Sequence, residues 1–223
     1  MNEMTMSAET MESVRKQAEE LLADYGKAKE KLYIRLYNRE LHWEKIEGMP
    51  HRDFLDLAAT CYIDLGETDA GYGSIPVDYS VMNALGIDED RLFEDAMANS
   101  PVLKPPVIAG MAGMLEQLMG LEPGNPGAGD PMTVLTTEGL RYGAAAVLYP
   151  GLLDSLTEKT GCPLFLIPSS VHEFLCLPDE GDVEKEWVRE LIGDVNRTTV
   201  APGEVLSGNL YRYDPAEGKM QIA

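Results

Sequence analysis

The sequence predicts an α+β fold, with antiparallel sheet built from hairpins and helices packed on one face. Segments of period-two alternation come in pairs joined by turn residues. Amphipathic helical stripes follow those pairs, and this hairpin-then-helix unit occurs on both sides of a Gly/Pro-rich stretch at 120–131.

From the N-terminus, Val14, Ala18, Leu21, Leu22 and Tyr25 follow helical spacing over 10–25, and Gly26 supplies a stop. "KLYIRLYN" at 31–38 alternates Leu32, Ile34 and Leu36 with Tyr33, Arg35 and Tyr37, the pattern of a strand with one buried face. "HRDFLDL" at 51–57 reads as a short helix or turn that sends Phe54, Leu55 and Leu57 into the core. Alternation resumes over 58–65 and 74–79, predicting a hairpin whose second strand Pro76 pushes to an edge. Ser80 is positioned to cap a short helix ended by Gly86, and Asp88 to cap the next. A further helix is expected over 108–119, with Met111, Leu115, Leu118 and Met119 on one side. Gly and Pro deny 120–131 regular structure and make it a loop or linker.

Beyond the linker the pattern is strand (132–136), turn at Glu138-Gly139, strand (142–148) and helix (150–159). A hairpin of 163–167 and 172–177 follows, then a helix over 183–195 with Asp182 as its cap, and a closing hairpin that turns at 215–218. The organisation implied is an N-terminal helix (1–30), an α+β half (31–119), the linker (120–131) and a second α+β half (132–223), which can also form one continuous domain.

The 44% hydrophobic and 25% charged residues exclude disorder and fibrous classes. Eighteen Lys+Arg against 38 Asp+Glu leave a net charge of −20, which disfavours direct contact with nucleic acid or anionic membrane and favours a basic protein partner. No signal-like segment opens the chain and no run reaches about eighteen apolar residues, so a cytoplasmic location is expected. Cys61, Cys162 and Cys176 are too few and too scattered for a disulfide framework.

"IPSSVHEFLC", residues 167–176, concentrates hydrolase chemistry: Ser169, Ser170, His172, Glu173 and Cys176. In an extended segment Ser170 and His172 stand about 7 Å apart on one face while Glu173 faces away, which is not triad geometry. The structural alternative is a hairpin turn over 168–170 whose hydroxyls satisfy backbone groups. His51 and Asp53 share the H-R-D-L start of a kinase catalytic loop, but position 57 holds Leu instead of the metal-binding Asn and the glycine-rich loop is absent. Histidines and cysteines show no metal-ligand spacing, and no cofactor motif is present. Met111, Met114 and Met119 suit core more readily than an adaptable groove. The acids Asp64, Glu67, Asp69, Asp88, Glu89, Asp90, Glu94 and Asp95 form a candidate acidic binding surface.

The blocks "MPHRDFLDLA", "NSPVLKPPVI", "YGAAAVLYPGLL", "LFLIPSSVHEFLCLPD" and "YRYD" resemble, in that order, an uncharacterised bacterial family of Gram-positive gut bacteria, a domain of unknown function. The resemblance spans about 31–214 and implies a bacterial cytoplasmic setting, but no activity, cofactor or catalytic residues. It also implies a further N-terminal region that this chain lacks apart from its first helix and strand.

The leading functional expectation is a non-catalytic acidic protein-binding or regulatory protein. One alternative is a mobile-element anti-defence inhibitor of anti-CRISPR type, with a surface that mimics nucleic-acid charge. The other is a hydrolase assembled from Ser169 or Ser170, His172 and a distant acid, or from His51 and Asp53 brought nearby by the fold.

Overall fold

The computed structural model describes residues 8–68, 71–110 and 132–223. The expected α+β architecture is what forms, with antiparallel sheets and helices. Two compact units are present and both are discontinuous in sequence. One takes the described residues of Met1–Ile34, Trp43–Arg52 and Thr60–Leu103, the other Arg35–His42, Asp53–Ala59 and the described residues of Lys104–Ala223. The linker expected at 120–131 and the methionines at 111, 114 and 119 lie outside the described residues.

In the first unit, helix α1 (Ala8–Leu22) ends before a second short helix, α2 (Tyr25–Lys29). Gly26 is therefore not a stop: the Asp24 carboxylate accepts its N–H and caps α2 around it. Strand β1 (Leu32–Asn38) is buried along its whole length, so the expected solvent face does not exist. Tyr33 packs on Tyr62 in the first unit, while Arg35 and Tyr37 lie against Tyr142 in the second. Helix α3 (Trp43–Ile46) precedes β2 (His51–Phe54), which is a strand where a helix or turn is expected. Of the three apolar residues of 51–57, only Leu57, which opens the next strand, reaches the core; Phe54 is half-buried and Leu55 exposed, with φ 59°.

Strand β3 (Leu57–Thr68) pairs antiparallel with β4 (Gly71–Pro76), which has no other partner among the described residues, in keeping with an edge position for Pro76. Sheet order is β1-β3-β2, with β4 joined to β3. Helix α4 (Tyr79–Leu85) is capped by Asp78, not Ser80: the Asp78 carboxylate accepts the Val81 N–H, and the Ser80 hydroxyl supports that carboxylate. Gly86 ends it in the left-handed conformation, as expected. Asp88 accepts the Arg91 N–H at the start of α5 (Glu89–Leu103).

The second unit holds a six-stranded sheet of order β10-β9-β7-β8-β6-β5. Residues 108–110, expected to open a helix, belong to β5 (Pro106–Gly110), which pairs with β6 (Thr133–Thr137) from Pro106↔Thr137 to Gly110↔Thr133. The strand expected over 142–148 is a 3-10 helix, Gly143–Leu148. Its alanines give a strand little to pack with, and Gly143 lies so close to β6 that a Cβ there would stand 2.3 Å from Thr136 Oγ1. Helix α6 (Leu152–Thr160) leads into the hairpin β7 (Leu164–Ser170) and β8 (Glu173–Pro178). Helix α7 (Lys185–Thr198) has Glu184, not Asp182, at its N-cap, and no side chain caps it. Val188 and Ile192 of α7 join Phe165 and Leu210 in a core cluster, each burial contributing roughly 1.5–3 kcal/mol. β9 (Tyr211–Asp214) and β10 (Lys219–Ile222) close the chain as the predicted hairpin.

Candidate functional site

The pairing of β7 with β8 runs in register to Pro168↔Phe174, then shifts to Ser170↔Glu173. Ser169 bulges out, and the turn consists of Val171 and His172, later than the expected 168–170. The Ser169 hydroxyl donates to Glu173 Oε1 at 3.0 Å, and Ser170 Oγ accepts the backbone N–H of His172 at 3.1 Å. Both serines are thus committed to the turn itself.

His172 is held from three sides. Its Nδ1 accepts the Tyr142 N–H at 3.0 Å, which leaves the proton on Nε2, 3.4 Å from Glu204 Oε1. Its carbonyl accepts from the Thr136 hydroxyl. Nucleophilic catalysis needs a hydroxyl or thiol on one ring nitrogen, and both nitrogens are engaged otherwise. Glu204 has no sequence signal, because it reaches the imidazole from a separate 3-10 turn, Pro202–Glu204.

Around His172 lies an aromatic set. Tyr142 stands in the left-handed region at φ 55° and packs on the imidazole with centroids 5.3 Å apart. The buried Arg35 guanidinium lies 3.6 Å over the Tyr142 ring, and Tyr37 packs between Tyr142 and His42. His42 Nε2 donates to the Gly203 carbonyl at 3.1 Å, so two histidines grip the 202–204 turn. The His42 Nδ1 is buried and has no hydrogen-bond partner among the described residues.

His51 and Asp53 have separate engagements. His51 Nδ1 donates to the Met49 carbonyl and its ring meets Trp43 edge-on, while Asp53 pairs with Arg39 at 2.9 Å. The residue of this segment that gathers contacts is Asp56, which sequence reasoning passed over. It accepts from the Ser207 hydroxyl, the Asn209 amide and the Tyr211 hydroxyl at 2.6–3.0 Å. Burial, with Asp56 beside it, pushes the Tyr211 phenol well above its ordinary value. Cys61 and Cys176 are free, buried core thiols; burial pushes Cys176 up to about 12.

Of the acidic candidates, Glu67, Asp88, Glu89, Asp90 and Glu94 are exposed, and Asp69 lies outside the described residues. Asp64 and Asp95 are corrections, since both are buried. Asp64 accepts the Gly66 N–H within its own β-bulge. Asp95 receives the Tyr25 hydroxyl, Lys29 at 3.1 Å and Arg91 at 2.8 Å. Burial works to raise its pKa, but these donors outweigh it and hold Asp95 below the ordinary carboxylate value. Among the described residues no group of three or more His, Cys, Asp or Glu side chains gathers to hold a metal. None of their helices is long and apolar enough to cross a membrane.

A groove of about 560 Å³ lies where β8 passes into α7, floored by Leu177, Pro178, Val183 and Val188 and rimmed by Glu180, Asp182 and Glu184. Trp187 lines it with 60% of its surface exposed. The acidic run around 179–194 is visible in the sequence, but the apolar floor beneath it depends on β8 and is not.

No curated protein and no solved structure matches the chain. A family model described as a family of unknown function, DUF5688, matches residues 1–215, so the match takes in the first helix as well as the blocks from residue 31 onward. On that coverage, the chain belongs to the DUF5688 family of unknown function.

Proposed function

We propose that this chain is a non-catalytic acidic binding protein of the bacterial cytoplasm, whose partner is another protein with a basic surface. The observation that carries the reading is the exposure of Asp88, Glu89, Asp90 and Glu94 along the start of α5, in a chain of net charge −20. Arg52 pairs with Asp90 and Arg91 with Glu94, while Arg91 and Lys29 share the buried Asp95, so the exposed carboxylates outnumber the cations paired with them. Such a field accelerates encounter with a basic protein and repels nucleic acid. The commitment of His172 to Tyr142 and Glu204 favours binding over catalysis, and three free thiols suit a reducing compartment.

Two measurements test the reading. Purified protein incubated with chromogenic ester, peptide and phosphate substrates is expected to show no turnover above blank; turnover that disappears on His172→Ala overturns the proposal. Captured from a bacterial lysate, the protein is expected to retain a basic protein at low salt and release it by about 0.3 M NaCl, where exposed charges are screened within a few Å.

A further inference from the structure

We infer that the groove between β8 and α7 seats an arginine side chain, presented by a basic and partly apolar segment of a partner protein. This rests on the binding reading above and gives it a second, defined place on the molecule.

Apart from Glu190, which is likewise exposed and makes no ion pair among the described residues, the rim carboxylates differ from the other acids of the same stretch. Asp179 and Asp214 both pair with Arg212, Glu186 with Arg189 and Asp194 with Arg197. Glu180, Asp182 and Glu184 are exposed and have no such counter-ion among the described residues. The structural explanation for acids at this place is the positive end of the α7 dipole. It does not account for their side chains: Glu184 occupies the N-cap position, yet its carboxylate makes no capping bond. The one basic residue between Glu180 and Val188, Lys185, holds its ammonium 5.7 Å over the Phe165 ring.

The floor decides what kind of cation fits. Leu177 and Val183 pack against the core cluster of Phe165, Val188, Ile192 and Leu210, so the groove is an opening onto apolar core and not a flat charged face. Its volume falls within the roughly 300–1,000 Å³ of ordinary ligand sites. A small, strongly hydrated cation would leave that floor wet. A side chain with an apolar stem and a weakly hydrated planar head covers it, stacks on the Trp187 indole and meets the carboxylates. Trp gives the strongest of the cation–aromatic attractions, and Trp187 remains exposed to make one. Arginine on a peptide with apolar neighbours satisfies floor, indole and rim together.

The chain contains two tryptophans, so Trp43→Phe leaves Trp187 as the sole indole reporter. The 223-residue chain with that change is titrated with an acetylated, amidated octapeptide alternating leucine and arginine, at about 25 mM and about 300 mM NaCl. The expected result is saturable change in Trp187 emission, with affinity at least about tenfold weaker at the higher salt. A similar loss is expected when Glu180→Gln, Asp182→Asn and Glu184→Gln are combined, and calorimetry should show it for Trp187→Ala. These positions are exposed, so circular dichroism should be unaltered. Binding that survives the rim variant but is lost with Glu89→Gln, Asp90→Asn and Glu94→Gln overturns the groove and leaves the acidic-partner reading standing. Failure of the peptide to bind at low salt overturns the groove as well; if the lysate capture also retains nothing basic, both readings fall.

Discussion

Of the described glycines, Gly143 has the least room. A Cβ there would lie 2.3 Å from Thr136 Oγ1, 2.5 Å from Thr137 N and 2.7 Å from the His172 carbonyl, and two of these are backbone atoms that cannot rotate away. Gly143→Ala is expected to destabilise the protein by about 1–3 kcal/mol or more, read as a lower urea midpoint at unchanged m-value. An unchanged midpoint would mean that the 3-10 helix is not seated on β6 as described. At this scale the sequence showed which residues are chemically able but not which are engaged. Ser169, Ser170, His172 and Glu173 were recognisable as a set, and of the two serines expected to serve backbone groups of a turn, Ser170 does so while Ser169 donates to the Glu173 carboxylate. Glu204, Tyr142 and Thr136, which hold the turn, are brought to it only by tertiary structure. Asp56 likewise looked like one more acid until Ser207, Asn209 and Tyr211 converged on it.

Among the elements, α4 is capped by Asp78, two residues before the Ser80 that the sequence suggests. The Asp78 carboxylate accepts the Val81 N–H at 2.8 Å, and the Ser80 hydroxyl only steadies that carboxylate. Asp78→Ala is expected to cost about 1 kcal/mol and Ser80→Ala about 0.5 kcal/mol or less in thermal or urea unfolding. The reverse order would make Ser80 the cap. Elements whose pattern is local were legible: the hairpins β3–β4, β7–β8 and β9–β10, and helices α5, α6 and α7. Errors fell where a distant part of the chain decided. β1 alternates as if half exposed, yet Tyr62 and Tyr142 cover its second face. Residues 142–148 were expected as a strand, but the close approach of Gly143 to β6 and to the His172 carbonyl belongs to a 3-10 helix.

For the whole molecule, acidity sets the response to pH. Asp78, held by Ser80 and the Val81 N–H, has a lowered pKa; so has Asp214, held by Arg212 and the Ala216 N–H. Asp95 is lowered too: burial opposes ionisation there, but the Tyr25, Lys29 and Arg91 donors prevail. A carboxylate whose folded value lies below its unfolded value stabilises the fold fully above the unfolded value, about 4, and that stabilisation disappears as pH falls through the folded value. Acidification also reduces the magnitude of the −20 charge and so relieves its self-repulsion. The melting temperature is therefore expected to rise modestly from pH 7 to about 5 and to fall below about 4, measured by calorimetry in matched ionic strength. A rise that continues to pH 3 would mean that these three pairs contribute nothing.

The discontinuous units bear on how the protein comes into being. Arg35–His42 and Asp53–Ala59 belong to the second unit, whose remaining residues begin at Lys104. On the ribosome, the Arg35 guanidinium and the Asp56 carboxylate emerge long before Tyr142 and Tyr211, the rings they will meet. The second unit is therefore a late product of synthesis that keeps its earliest pieces waiting, and no single cut of the gene can separate it intact from the first.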